Sequence, residues 1–147
     1  PHDATYCYIL LPSKNAAETM AYSKHPDTIV LENSADVQAV KEKRLHLTAV
    51  NFWNPGTVEE IVSHQPASVL LEKNRGEWTL AVSDPTQSQS SIRLELNRPG
   101  LTVLSGDPAV QAVQSGQSLR VEIDTEGSLG RTFTVKLKDT LDDADRN

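Results

Sequence analysis

The sequence predicts an all-β protein, an antiparallel β-sandwich with one short N-terminal helix. Short runs of β-branched and apolar residues recur between residues 28 and 137, at the spacing of about 8–12 residues that is typical of sandwiches. Several runs alternate apolar and polar residues, as in SIRLELN, where Ile92, Leu94 and Leu96 share one face. Turn-forming Gly, Pro, Asn and Asp residues separate these runs.

The chain opens with PHDATYCYILLP, in which residues 6–11 are an unbroken apolar run. A strand with one face in water should alternate, so both faces of this leading segment need cover. No earlier strand or helix in the sequence supplies that cover. Together with the absence of an initial Met and of a signal peptide, this predicts an excised or processed part of a larger protein.

One helix of two to three turns is predicted over residues 16–23. Asn15 can cap its first turn, and Glu18 is placed three residues later, as in a capping box. Ala-rich sequence favours the helix, and it should end at His25 because Pro26 disfavours a helical conformation in the residue before it.

The remaining chain is predicted to form strands joined by turns. Asn74, Arg75 and Gly76 are interpreted as a three-residue hairpin loop, and Trp78, Leu80 and Val82 as an inward stripe. The predicted strands cover residues 28–33, 37–43, 45–53, 67–73, 77–83, 91–97, 101–105, 110–115, 119–124 and 132–137. Beyond them, KDTLDDADRN is predicted to be a solvated acidic tail or linker.

Composition limits the function classes. The net charge of −6 repels phosphates, so nucleic acid is not an expected partner. No apolar run approaches the ~20 residues of a membrane-spanning helix, so no membrane partner is expected. The single cysteine, Cys7, cannot form an internal disulfide and is interpreted as a small buried hydrophobe.

Candidate catalytic and metal-binding residues do not form a recognisable pattern. The histidines lack metal-ligand spacing, and His46 is predicted to lie on a strand face. Acidic residues near turns show no pair suited to glycoside hydrolysis. The C-terminal aspartates lack the ordered spacing of a calcium loop. We therefore expect no catalytic residue, no metal and no cofactor in this chain. The residues considered are His2, His25, His46, His64, Glu59, Glu60, Asp84, Asp107, Asp124, Asp139, Asp142, Asp143 and Asp145.

Trp53 is the one candidate binding residue. It follows a predicted strand and precedes Asn54, Pro55 and Gly56, so it falls at a strand end. An exposed tryptophan can stack on a pyranose ring. Packing in the core or against another domain is the alternative for Trp53, and the sequence leaves the two open.

Several stretches together resemble the C-terminal region of polysaccharide lyase family 8, the hyaluronate, chondroitin AC and xanthan lyases. The resemblance covers most of residues 1–137, and the YILLP and QAVKEK stretches are most similar to xanthan lyase. It is carried, in order, by PHDATYCYILLP, AAETMAYSKHP, IVLENSADVQAVKEKRLHLTAVNFW, ASVLLEK and VSDPTQ.

The resemblance implies a domain organisation. In that family a helical toroid precedes a large β region and a smaller C-terminal sandwich. Residues 1–12 would be the last strand of the large β region, and residues 13–27 the connecting helix. Residues 28–138 would be the sandwich, and residues 139–147 the tail. The partners of this chain would be the catalytic and β domains of the same lyase, with acidic polysaccharide as a further candidate.

The resemblance also implies a function. The family cleaves uronic-acid polysaccharides by β-elimination, using a Tyr, a His and an Asn for which no position here matches. We therefore expect a non-catalytic sandwich of an extracellular lyase. An independent carbohydrate-binding module is the alternative, and a free-standing enzyme is the third hypothesis.

Overall fold

Two antiparallel sheets pack face to face in the computed structural model, which describes residues 6–141. The elements are α1 (Ala16–Lys24), β1 (Thr28–Asn33), β2 (Val37–Glu42), β3 (Leu47–Phe52), β4 (Gly56–Val58), β5 (Ile61–Ser63), β6 (Ala67–Asn74), β7 (Glu77–Ser83), β8 (Ser91–Leu96), β9 (Leu101–Gly106), β10 (Val110–Ser115), β11 (Ser118–Asp124) and β12 (Phe133–Asp139). The seven-stranded sheet has the order β1-β2-β3-β6-β7-β12-β9, and the five-stranded sheet has the order β10-β11-β8-β5-β4. The predicted all-β sandwich with one helix is confirmed.

The core fills the space between the two sheets. Trp78, Leu80 and Val82 of β7 point inward as predicted, because alternate residues of a strand face opposite sides of its sheet. The facing sheet contributes further fully buried aliphatic side chains, including those of β8 and β11. The largest fully buried side chains are Phe52, Ile61, Leu80, Ile92, Leu94, Leu96, Leu101, Leu119, Ile123 and Leu137.

Helix α1 forms where the sequence predicts it and extends one residue further. The backbone N–H of Glu18 donates to Asn15 Oδ1 at 2.9 Å, and the backbone N–H of Asn15 donates to Glu18 Oε2 at 2.9 Å. These reciprocal bonds are the predicted capping box. No residue of α1 is buried, so the helix adds no side chain to the core.

Two local predictions were wrong for reasons of backbone conformation. Asn74 pairs with Glu77, so the β6–β7 hairpin has a two-residue loop. Arg75 and Gly76 both have positive φ, +51° and +86°, as a tight hairpin turn requires. His46 also has positive φ, +50°, and lies in the turn before β3. It therefore does not lie on a strand face.

The short hairpin β4–β5 is absent from the sequence prediction. Each of its strands has three residues, which is too short for an alternation to stand out. The side chains of Val58 and Ile61 are nevertheless buried, and β5 pairs with β8. This hairpin forms one edge of the five-stranded sheet.

The predicted start of the acidic tail at residue 139 is wrong. Asp139 is the last residue of β12, and its side chain is fully buried. It accepts hydrogen bonds from Arg98 Nε at 2.8 Å and Arg98 Nη2 at 2.5 Å. The Arg98 guanidinium also stacks over the ring of Trp78, 4.8 Å from its centroid. The other tail aspartates, Asp142, Asp143 and Asp145, lie outside the described residues.

Asp84 organises the turn that follows β7. Its buried carboxylate accepts backbone N–H bonds from Thr86, Ser88 and Gln89, each at 2.8 Å. The Thr86 hydroxyl and the Gln89 side-chain amide donate two more, at 2.7 and 2.8 Å. Burial alone raises the pKa of Asp84, but these bonds more than offset it and hold the pKa well below its ordinary value.

We expect Asp84→Asn to lower the free energy of unfolding at pH 7 by about 2 kcal/mol or more. The reason is that backbone N–H donors which now bond a carboxylate oxygen would face the N–H of the Asn side-chain amide.

The depressed pKa of Asp84 contributes stability above the unfolded-state pKa of about 3.9, and this contribution is lost as the pH falls below that value. Urea unfolding from pH 7 to pH 3 should therefore give a steeper acid loss for the wild type than for the variant. Equal slopes would contradict this account, and Asp124→Asn, at an exposed position, is the control.

We expect Asp139→Ala to lower the free energy of unfolding by about 3–5 kcal/mol, because it removes the buried carboxylate that two nitrogens of Arg98 bond. The matched control is Arg44→Ala, which breaks an exposed pair whose nitrogen and oxygen are 3.7 Å apart. That change should cost less than about 1 kcal/mol. Similar losses for both variants in chemical denaturation would show that Asp139 does not anchor the end of β12.

Candidate functional site

The outer face of the seven-stranded sheet, which points away from the core, carries a continuous row of apolar residues. Strand pairing aligns Val30 with Val40, Val40 with Ala49, Ala49 with Leu70, and Leu70 with Ala81. We call these five residues the apolar row. They line an open groove of about 630 Å³. Val30 and Val40 are 45% and 38% exposed, so the row presents apolar surface to solvent.

A second row of uncharged polar residues runs beside the apolar row. Pairing aligns Asn33, Gln38, Asn51, Ser68 and Ser83 across the same five strands. Several of their side chains form hydrogen bonds with other residues of the chain. Ser68 Oγ donates to Asn51 Oδ1, and Gln38 Nε2 donates to the carbonyl of Ser34 at 2.5 Å.

Trp53, the residue that the sequence singled out, lies at the edge of this polar row. Its indole Nε1 donates to Gln38 Oε1 at 2.6 Å, and its backbone N–H donates to the carbonyl of Asp36 at 2.8 Å. The side chain is 44% exposed. Its ring is therefore held in place with part of its surface open, and it does not line the groove.

The leading segment, residues 6–11, lies beside the groove. Tyr6 and Cys7 line one side of it, and Asn33 Nδ2 donates to the Tyr6 carbonyl at 3.3 Å. Tyr6, Tyr8 and Leu10 are 83%, 69% and 75% exposed. The segment forms no strand with the other described residues, and Cys7 is exposed rather than buried as predicted.

The outer face of the five-stranded sheet is largely charged, and Val113, 65% exposed, is an apolar exception. Strand pairing places Arg93 opposite Glu122 and Arg120 opposite Glu95. Glu95 Oε1 lies 3.4 Å from His64 Nε2 and 3.8 Å from Arg120 Nε. Because acids and bases alternate across this face, it is suited to contact with water.

The other candidate residues from the sequence do not converge. His25 caps the C-terminus of α1, while His46 and His64 lie in a turn and after β5. Within residues 6–141, no group of three His, Cys, Asp or Glu side chains could hold a metal ion. Asp84 uses its oxygens within its own turn, and His2 lies outside the described residues.

Sequence reasoning missed the apolar row. The signal that was available is the failure of alternation: Val40, Ala49, Leu70 and Ala81 are apolar although each neighbours an inward apolar residue. Only the register of the strands brings the four together, and register is not readable from separate segments. In the same residues 6–141, no helix has the length and apolar character to cross a membrane.

Comparison with known proteins identifies the family. Residues 29–93 match the model of the polysaccharide lyase family 8, C-terminal beta-sandwich domain. Over 133 aligned residues the chain is 38% identical to a hyaluronate lyase of Thermasporomyces composti, and this match covers 90% of the chain. It is 36% identical to a xanthan lyase of Bacillus sp. (strain GL1), again over 90% of the chain.

Solved structures agree in fold. A xanthan lyase from Paenibacillus superposes on 88% of the chain with a TM-score of 0.84 and 33% identity. The chondroitin AC lyase of Streptomyces coelicolor A3 superposes on 87% of it with a TM-score of 0.77 and 28% identity.

The chain spans a small part of these relatives: 17% of the hyaluronate lyase, 15% of the Bacillus xanthan lyase and 13% of the Paenibacillus structure. The sequence and fold of the chain match the C-terminal beta-sandwich domain of polysaccharide lyase family 8.

Proposed function

We propose that this chain is the non-catalytic C-terminal sandwich of a secreted lyase that cleaves uronic-acid polysaccharide by β-elimination. The substrate class is that of its relatives, whose names specify hyaluronate, xanthan and chondroitin. We propose secretion because long polysaccharide chains are too large to enter a cell intact. In this proposal the sandwich stabilises the catalytic body and takes no part in proton transfer.

One observation carries the proposal: the exposed leading segment. Tyr6, Tyr8 and Leu10 expose large apolar side chains, and a strand that is apolar on both faces needs cover on both of them. A large β region preceding the sandwich would supply them. We propose residues 1–12 as the last strand of that region and residues 13–27 as the connection. The sandwich was predicted to cover residues 28–138, and we now extend it by one residue to Asp139. The proposed tail, predicted as 139–147, then begins at residue 140.

A second candidate function, carbohydrate binding, rests on Trp53. Its ring is half-exposed and is fixed by Gln38, as a stacking platform for a sugar requires. The net charge of −6 opposes binding of polyanionic chains, because like charges must be brought together. We therefore place this function second, with acidic polysaccharide as its ligand.

The native protein should be much longer than 147 residues. We expect mass spectrometry of the protein purified from its source to give a mass several times 16.1 kDa, with peptides that continue upstream of Pro1. A native mass near 16 kDa would contradict the proposal, because no catalytic body would then be present.

The 147-residue chain should migrate without retardation in affinity gels that contain hyaluronan, chondroitin sulfate or xanthan. The reason is its net negative charge and the absence of Lys and Arg among the groove residues in the described part of the chain. Retardation that is lost in Trp53→Ala and retained in Trp53→Phe would instead establish the carbohydrate-binding function.

A further inference from the structure

The outer face of the five-stranded sheet carries a row of side chains that is complementary to its own reverse. The row is apolar at both ends and has two opposite charges at its centre. We call it the crossing row, and strand pairing aligns its members across β10, β11, β8 and β5: Val113, Arg120, Glu95 and Val62. Reversing this row exchanges its positive charge with its negative charge and leaves both ends apolar.

The adjacent row on the same face has a similar pattern. Glu122 lies opposite Arg93, with Gln111 on the β10 side. On the other side, the backbone N–H of His64 donates to the Arg93 carbonyl at 3.1 Å. Polar residues therefore flank this pair of opposite charges. Residues of the two rows line an open groove of about 550 Å³.

The charges of this face restrict what can bind it. Two Arg and two Glu form a block at the centre of the two rows, and their formal charges cancel. A polyanion or a polycation would meet as many like charges as opposite ones, so neither gains net attraction from the block. A suitable partner carries alternating charges at the same spacing. A second copy of this chain meets that requirement, because it carries the same block.

A two-fold axis brings the blocks of two copies into register. When the axis runs parallel to the strands, midway between β8 and β11, each row faces the same row of the second copy in reverse order. Arg120 of each copy then faces Glu95 of the other. In the adjacent row, Glu122 of each copy faces Arg93 of the other. Every charge of the block therefore meets an opposite charge, in an interface that uses the same patch on both copies.

The ends of the crossing row add apolar contact to this arrangement. Val113 is 65% exposed, although the centre of its row is charged. The same two-fold axis places Val113 of each copy against Val62 of the other. Removing these apolar side chains from water favours association. Charge and apolar contact thus agree on one orientation of the two copies.

We propose that two copies of this chain form a two-fold dimer through the outer face of the five-stranded sheet, with Arg120 of each copy paired to Glu95 of the other. The inference uses only residues of this face, so it does not depend on the proposed function. The contact covers four strands and has no large apolar centre, so the dimer belongs to the weak, reversible class.

Sedimentation velocity of the 147-residue chain at increasing concentration tests the proposal. We expect Glu95→Arg and Arg120→Glu each to weaken dimerisation at least about tenfold, because each change sets like charges against one another across the interface. Glu126→Arg and Arg75→Glu are the controls, since they change the net charge equally at exposed positions away from this face. Both controls should dimerise as the wild type does.

An equimolar mixture of Glu95→Arg and Arg120→Glu chains gives the sharpest result. In a mixed dimer the introduced arginine of one chain faces the introduced glutamate of the other, and the native Arg120 of the first faces the native Glu95 of the second. The mixture should therefore dimerise at a concentration where each variant alone is monomeric. Mixing cannot repair a fold defect, so this recovery reports contact between the two positions.

Three outcomes would overturn the proposal. The first is a wild-type chain that stays monomeric up to about 1 mM, the range in which weak complexes form. The second is dimerisation that both single variants retain, which would place the contact elsewhere, for example at the exposed leading segment. The third is a mixture of the two variants that stays monomeric.

Discussion

Each apolar face of a β-strand must be shielded from water, and this requirement organises the sandwich. The inner faces of the two sheets cover each other through a core of aliphatic and aromatic side chains. The leading segment has no such cover among the described residues, although Tyr6–Tyr8 ring stacking, with centroids 6.2 Å apart, hides a little of its surface. Burial of apolar area is the dominant favourable contribution to folding and association. The exposure of this segment is therefore the observation that supports the proposed neighbouring strands.

Two polar clusters hold a turn and a strand end of the sandwich in place. One of them joins elements far apart in sequence, and the other lies within a single turn. Arg98 joins the β8–β9 turn to Asp139 at the end of β12 and covers the Trp78 ring. Asp84 closes the turn after β7 through five hydrogen bonds. The carboxylates of Asp84 and Asp139 are therefore engaged in contacts that hold the fold together.

The sequence predicted those features whose causes are local. The capping box of α1 needs only Asn15 and Glu18, three residues apart, and the inward stripe of β7 needs only alternation. The features that were missed depend on distant residues. Asp139 was assigned to a solvated tail because its partner, Arg98, is 41 positions away. Within the candidate site, Trp53 was found by residue type and turn context, whereas the apolar row exists only in the register of five paired strands.

The proposed preceding β region would pair with the leading segment and protect its backbone amides. Amide hydrogen exchange of residues 6–11 tests this account most directly. These amides should exchange at the rate of an unstructured peptide in the 147-residue chain and at least about a hundredfold more slowly in the full-length polypeptide, where strands outside the sandwich bond them. Equally fast exchange in both would contradict the account.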